Sequence, residues 1–222
     1  MCGRYSLAID MEDLENRFTF EGEGLPRQAR FNIAPTQGVL TVTNDGSRNH
    51  AQFMKWGLIP FWAKDPSIGN RMINARAETV EGRPMFRQAF QKHRCLVLAD
   101  GFYEWMKVGK GRVPMRIILK SGEPFGFAGL WETWNSPEGV LVHSCTIITT
   151  TANAVMEPIH NRMPAILPRE AENLWLAPGE PRASELKELL VPYSASDMEA
   201  YQVSALVNSP GNDMPDVMAR VV

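Results

Sequence analysis

Between Cys95 and Thr149 five β-rich runs follow one another with only short breaks, and no helical pattern interrupts them. The runs are Cys95 to Ala99, Phe102 to Lys107, Pro114 to Leu119, Pro124 to Trp131 and Val140 to Thr149. Their breaks include Gly109-Lys110-Gly111, Ser121-Gly122 and Pro137-Glu138-Gly139. β-Branched and aromatic residues suit a pleated, half-buried surface, and glycine or proline breaks suit tight reversals. Strands that cluster instead of alternating with helices predict an antiparallel meander. The expected fold is α+β, with a largely antiparallel, curled, barrel-like sheet flanked by short helices. No Rossmann or P-loop pattern occurs.

The rest of the chain is mixed. Tyr5 to Ile9 reads as a short strand, and Asp10 is placed to cap a brief helix carrying Leu14 and Phe18 on one face. Residues 19 to 35 read as a loop. Val39 to Thr43 and Ala51 to Trp56 predict a hairpin about Asn44-Asp45-Gly46. Pro60 to Asn70 is turn-rich, and Pro84 to Lys92 predicts a helix with proline in its first turn. Pro168 to Leu176 and Ala183 to Leu190 predict two more helices, and Tyr201 to Val207 a last strand. With 222 residues and no internal repeat, a single domain over residues 1–222 is the expectation.

Composition bounds compartment and partner. Hydrophobic content of 44% and charged content of 22% are those of an ordinary soluble protein. No apolar run approaches about 18 residues and the N-terminus has no signal-peptide pattern, so the expectation is a cytoplasmic monomer with no membrane contact. Three cysteines, at positions 2, 95 and 145, do not make a disulfide framework. A net charge of −2 gives no global attraction to nucleic acid, so such binding needs a local basic groove. Arginine outnumbers lysine 16 to 7, and its planar fork matches phosphate oxygens.

Removal of Met1 would make Cys2 the N-terminal residue, with an amine and a thiol on adjacent carbons. The amine titrates near about 8 and the thiol near about 8.5, so both are nucleophiles at physiological pH. Such an aminothiol traps aldehydes: the amine forms an imine, and the thiolate closes onto the imine carbon to give a thiazolidine.

Three further segments break core periodicity. Asn74-Ala75-Arg76-Ala77-Glu78-Thr79 packs four polar or charged side chains into six positions beside small alanines, as a ligand site or a surface turn would. In Ala99-Asp100-Gly101-Phe102-Tyr103-Glu104-Trp105 an acid sits inside an aromatic strand. Glu104 either faces solvent or faces a pocket whose desolvation lifts its pKa toward the range useful for proton transfer. Ile159-His160-Asn161-Arg162-Met163-Pro164 sets an imidazole and a guanidinium between prolines 158 and 164, where a structural histidine is the alternative. His93-x-Cys95 and His143-x-Cys145 put both side chains on one strand face, but zinc sites use tighter CxxC or HxxxH pairs, and both cysteines sit at apolar strand positions. No metal or other cofactor is expected.

Together with Met1-Cys2-Gly3-Arg4-Tyr5, Asn32-Ile33-Ala34-Pro35-Thr36 and Trp56-Gly57-Leu58-Ile59-Pro60, these three segments closely resemble the SRAP family, the SOS-response-associated peptidases viewed as abasic-site processing proteins. The motifs span roughly residues 1 to 170; the stretch after Pro168 is less diagnostic, although Val203 to Asn208 is also similar. The resemblance implies a sensor of abasic sites in single-stranded DNA, acting in the DNA damage response and linking covalently to the opened sugar through Cys2. It implies Glu104 as general acid/base, His160 as hydrogen-bond partner of the sugar oxygen, and Asn74 as the residue orienting the N-terminus or sugar. Arg4, Arg76 and Arg162 are the implied phosphate ligands. Trp105, Trp62 and Pro35 are the implied stacking surface or wedge, although Trp56 and Trp62 each read individually as core residues. Asn161 departs from the acid expected there and touches none of these roles.

Weak lyase activity by β-elimination from the imine would accompany such a sensor. The rival of another class is an N-terminal-nucleophile peptidase or amidase, in which Cys2 attacks an amide with its own amine as base. A noncovalent single-strand binding module is the third reading.

Overall fold

The computed structural model describes residues 2–221. In chain order the elements are β1 (Tyr5–Leu7), α1 (Met11–Phe18), β2 (Phe20–Glu21), β3 (Arg30–Ile33), β4 (Gly38–Asn44), β5 (Asn49–Trp56), β6 (Asn74–Arg76), α2 (Arg87–Lys92) and β7 (Arg94–Ala99). There follow β8 (Gly101–Val108), β9 (Gly111–Leu119), β10 (Phe125–Asn135), β11 (Leu141–Thr151), β12 (Arg162–Pro164), β13 (Ile166–Leu167), α3 (Arg169–Leu176), α4 (Ala183–Glu188) and β14 (Met198–Gln202).

The ladder β5–β4–β7–β10–β11 closes on itself, because β11 also pairs with β5, in parallel, at Ser144↔Lys55 and Cys145↔Trp56. The result is a five-stranded barrel. β7 lies inside this ring and all six of its residues are buried, which is why Cys95 to Ala99 reads as an unbroken apolar run instead of an alternating one. A second sheet, ordered β14–β9–β8–β1–β3, packs beside it. Tyr5 of β1 meets Trp56 and Phe127 edge-on, with ring centroids 5.3 and 5.7 Å away, and so joins the two sheets through one aromatic cluster.

The fold class is α+β as expected, but the strands from Cys95 to Thr149 are not one meander. β7 pairs with β10 and β4, whereas β8 and β9 belong to the second sheet. The change of sheet occurs at Asp100, whose carboxylate accepts hydrogen bonds from Ser6 Oγ (2.5 Å), the Ala8 amide (2.6 Å) and Arg116 (3.1 Å). Those partners lie far away in sequence, so no local pattern marks the crossover.

The expected loop over residues 19 to 35 contains β2 and β3. β3 pairs with β1, and the Asp213 carboxylate accepts from the amides of Phe31 (2.5 Å) and Asn32 (2.9 Å). A side chain from the far end of the chain thus satisfies donors that would otherwise be unpaired. The last strand falls at Met198–Gln202, and Ala205–Asn208 is a 3-10 turn instead. Asp10 occupies the N-cap of α1 without a side-chain capping bond; its carbonyl receives the Leu14 amide. α2 begins at Arg87, with Pro84 in the turns before it. Among the described residues no helix is long and apolar enough to cross a membrane.

Barrel closure rests on a glycine. Gly57 leaves β5 with φ +133°, and its amide donates to the Cys145 carbonyl at 2.8 Å. A Cβ at this position would sit 2.5 Å from the Gly69 carbonyl oxygen. Gly57→Ala is therefore expected to destabilise the fold by about 2–3 kcal/mol, read as a lower midpoint in urea unfolding. An unchanged midpoint would show that the closure tolerates a side chain.

Candidate active site

The N-terminus is placed by the register of β1. Tyr5 lies opposite Phe102, and the Tyr103 amide donates to the Arg4 carbonyl at 2.9 Å. Continued antiparallel, that register brings Cys2 and Gly3 abreast of Glu104 and Trp105. On the other side, Asn74 of β6 donates from Nδ2 to the Cys2 carbonyl at 2.8 Å. β6 is itself held parallel to β11 at Ile147↔Asn74, next to the barrel closure. Asn74 Oδ1 is buried and accepts no hydrogen bond among the described residues.

Burial governs the protonation of this cluster. Glu104 is buried and does not face solvent, with 4% of its surface exposed, and desolvation lifts its pKa to about 6. The Cys2 thiol is fully buried. Desolvation first and the neighbouring Glu104 second push its pKa far up, partly offset by a hydrogen bond from the Arg4 backbone. At neutral pH it is a thiol and not a thiolate.

His160 is half-buried at the end of a turn whose bonds run from the Ile159 and His160 amides to the Met156 carbonyl, each 2.8 Å. The Arg162 amide donates to His160 Nδ1 at 3.0 Å, which leaves the neutral ring's proton on Nε2. Desolvation holds its pKa below the usual histidine value.

Arg76 and Arg162 straddle Thr149 of β11. Arg76 pairs with it in the ladder and is exposed, and Arg162 Nη2 donates to the Thr149 carbonyl at 2.6 Å. Arg162 also grips Glu78 with both Nη nitrogens, and this depresses the Glu78 pKa. Arg4 Nη1 donates to Asn32 Oδ1 (2.8 Å) and the Val207 carbonyl (2.7 Å), so the guanidinium also ties β3 and the C-terminal segment to the site. Its Cζ lies 5.8 Å from the Trp105 ring centroid, and Trp105 Nε1 donates to Asn208 Oδ1 at 2.7 Å.

The structure thus brings Cys2, Asn74, Glu104, Arg4 and Trp105 together, and gathers His160, Arg76 and Arg162 about the end of β11. Trp62 stands apart. It is 49% exposed beside the equally exposed Phe61, which corrects the core reading of Trp62, whereas Trp56 is fully buried. Pro35 is half-buried in the turn that returns to the Trp56 carbonyl through the Thr36 amide (2.8 Å). Among the described residues no hydrogen bond ties Trp62 or Pro35 to the Cys2 cluster. Cys95 and Cys145 are buried strand residues, His143 Nδ1 meets Thr133 Oγ1 at 2.9 Å, and His93 stacks on Trp131. Among the described residues no three metal-ligating side chains converge.

Sequence reasoning missed Asn32, Asn208 and the Val207 carbonyl as supports of Arg4 and Trp105. Their signal was faint: Asn32 and the Val203 to Asn208 segment belong to the motifs, but nothing local joins residues so far apart. Met1, whose removal the aminothiol chemistry requires, lies outside the described residues.

The family described as SOS response associated peptidase (SRAP) matches residues 1–210. The abasic site processing protein YoqW of Bacillus subtilis (strain 168) is 50% identical over 224 residues, covering 98% of this chain and 99% of that one. The abasic site processing protein HMCES of Xenopus tropicalis is 28% identical over 266 residues, covering 100% of this chain and 79% of that one. A crystal structure of a protein from Bacteroides thetaiotaomicron superposes with a TM-score of 0.90 at 29% identity, over 100% of both chains.

The raised pKa of Glu104 means that the folded state holds this proton more tightly than the unfolded state. The associated stabilisation is complete below the ordinary value of 4.5 and is lost as pH rises through about 6. Glu104→Gln, which cannot ionise, is expected to gain about 2 kcal/mol relative to wild type between about pH 4.5 and about pH 7.5. Thermal melts that show the same difference at both pH values would remove the titration of Glu104 from the site.

Proposed function

Because the chain belongs to the SOS response associated peptidase family, matched over residues 1–210, we propose that it captures abasic sites in single-stranded DNA as a covalent thiazolidine at Cys2 once Met1 has been removed. The observation that carries this reading is the pairing of an N-terminal cysteine, held at its carbonyl by Asn74, with a buried acid whose pKa is about 6. An abasic site is a masked aldehyde, and both relatives named above are abasic site processing proteins by name.

The chemistry follows from the protonation states. With the thiol neutral, the amine attacks first. Glu104, with its pKa lifted to about 6, keeps a protonated fraction near neutral pH, gives a proton to the carbinolamine oxygen as water leaves and then takes one back. The thiol adds to the resulting imine carbon and closes the ring, so that aldehyde plus aminothiol become thiazolidine plus water. His160, neutral with its proton on Nε2, donates to the sugar oxygen and favours the open form. Arg4, Arg76 and Arg162 hold phosphates, and Trp105, Trp62 and Pro35 supply stacking or wedge contacts. The same imine is the branch point for weak β-elimination. A cysteine peptidase at this centre would need the thiolate, which burial and Glu104 both oppose. We assign the chain to the cytoplasm, where it joins the nucleoid when bound to DNA.

Processed protein mixed with an oligonucleotide bearing one abasic site is expected to give a band that survives denaturation without borohydride, absent with intact DNA and with Cys2→Ala. Failure of correctly processed wild type to form it would bring the peptidase reading forward. Glu104→Gln is expected to slow capture more than it weakens binding. Arg76→Ala and Arg162→Ala should each flatten the salt dependence of binding by about 0.7 in log–log slope. Since Glu78 already holds the Arg162 fork, Glu78→Gln should tighten binding of intact single strand several-fold; weaker binding would show that Glu78 only braces the arginine.

A further inference from the structure

Beyond Trp105, bonded to Asn208, and Pro114, whose carbonyl accepts from the Val203 amide, no further strand among the described residues pairs with the β8–β9 hairpin. β1 pairs with β8 only at Gly101 and Phe102, and β14 pairs with β9 only from Met115 to Leu119. From there the two strands continue as a two-stranded ribbon to Val108↔Gly111. Lys107, Lys110 and Arg112 are exposed on it, and their side chains make no ion pair or hydrogen bond among the described residues. No acid occurs from Trp105 through Gly122, whereas the other two hairpins carry Asp45 and Glu138 in their turns.

The ladder sets Lys107 directly opposite Arg112. Like charges facing each other across an antiparallel pair destabilise it, and a short isolated ribbon has little stability to lose. A local conflict of this kind marks a surface shaped by something other than folding. Strand alternation puts Lys107 and Arg112 on the same face as Trp105 and its cross-strand partner Pro114, about 7 Å further along. Arg112 is also one of the charges that bear on both Glu104 and His160, so its field reaches the reaction centre.

We propose that this ribbon is a backbone grip: Lys107, Lys110 and Arg112 bind the phosphodiester backbone of the strand on one side of the residue captured at Cys2, while Trp105 at its base stacks on a base. The proposal rests on the DNA-binding reading above. A phosphate between Lys107 and Arg112 turns their repulsion into shared attraction, which explains why the pair is tolerated with no acid on the ribbon itself. The ribbon rises from the strand that carries Glu104, so grip and chemistry share one strand.

The test uses Lys107→Gln/Lys110→Gln/Arg112→Gln in the full chain, titrated with a fluorescent single-stranded oligonucleotide lacking an abasic site over a salt series. The expected result is at least tenfold weaker binding at low salt, with a log–log salt slope shallower by about 2. The charge-retaining Lys107→Arg/Lys110→Arg/Arg112→Lys variant should keep the wild-type slope, which separates lost charge from disturbed folding. An unchanged slope and affinity in the glutamine variant would overturn the proposal and leave the ribbon a solvated face. Wild type that binds the strand but forms no adduct with an abasic oligonucleotide would sink the capture reading alone. Wild type that binds no single strand would sink both.

Discussion

Strand β11 meets two partners in succession along one edge, β5 at Cys145 and β6 at Ile147, and the geometry of the N-terminus hangs on that junction. The first pairing closes the barrel. The second begins where the chain has passed Gly57, whose amide is spent on the Cys145 carbonyl, and it aims Asn74 at the Cys2 carbonyl. The barrel wall therefore fixes where the first described residue sits. Tyr5, wedged between Trp56 and Phe127, holds the same segment from the other side.

The charges around this junction fall into two groups. At the centre, desolvation pushes each titratable group toward its neutral form: Cys2 up, Glu104 up and His160 down. Of the three, Glu104, whose pKa is lifted to about 6, lies near enough to neutral pH to give and take a proton, as imine chemistry requires. Around them the buried or half-buried arginines are paired or hydrogen-bonded, Arg116 with Asp100, Arg162 with Glu78 and Arg4 with Asn32 and Val207. On the β8–β9 ribbon and at Arg76, as also at Lys64, Arg83, Arg87 and Arg169, cationic side chains face outward with no side-chain partner among the described residues, so attraction for a polyanion is a local matter in a chain of net charge −2.

The C-terminal segment completes the site from a distance. Asp213 satisfies the amides of β3, Val207 receives Arg4, and Asn208 receives the Trp105 indole. These bonds span more than a hundred residues, and they explain why the region after Pro168 carries weak motifs yet matters to the front of the molecule. The supporting atoms include backbone carbonyls, which any residue supplies, so their role leaves little trace in residue identity.

Residue chemistry and periodicity by themselves determined the strand-rich middle of the chain, the hairpin about Asp45 and the helices near residues 11, 87 and 169, and they singled out Cys2, Glu104, His160 and the segment from Asn74 to Thr79 as departures from core periodicity. Those features are local: a buried strand needs an apolar run, a turn needs glycine, and an aminothiol needs only its two atoms. Tertiary structure alone decided that β7 and β8 belong to different sheets, that residues 30–33 form a strand, and that Trp62 is exposed where Trp56 is buried. It also decided that Glu104 is buried, with its pKa lifted to about 6. Strand partners, desolvation and side-chain facing depend on groups distant in sequence, and an alternating pattern states that one face is covered without stating by what.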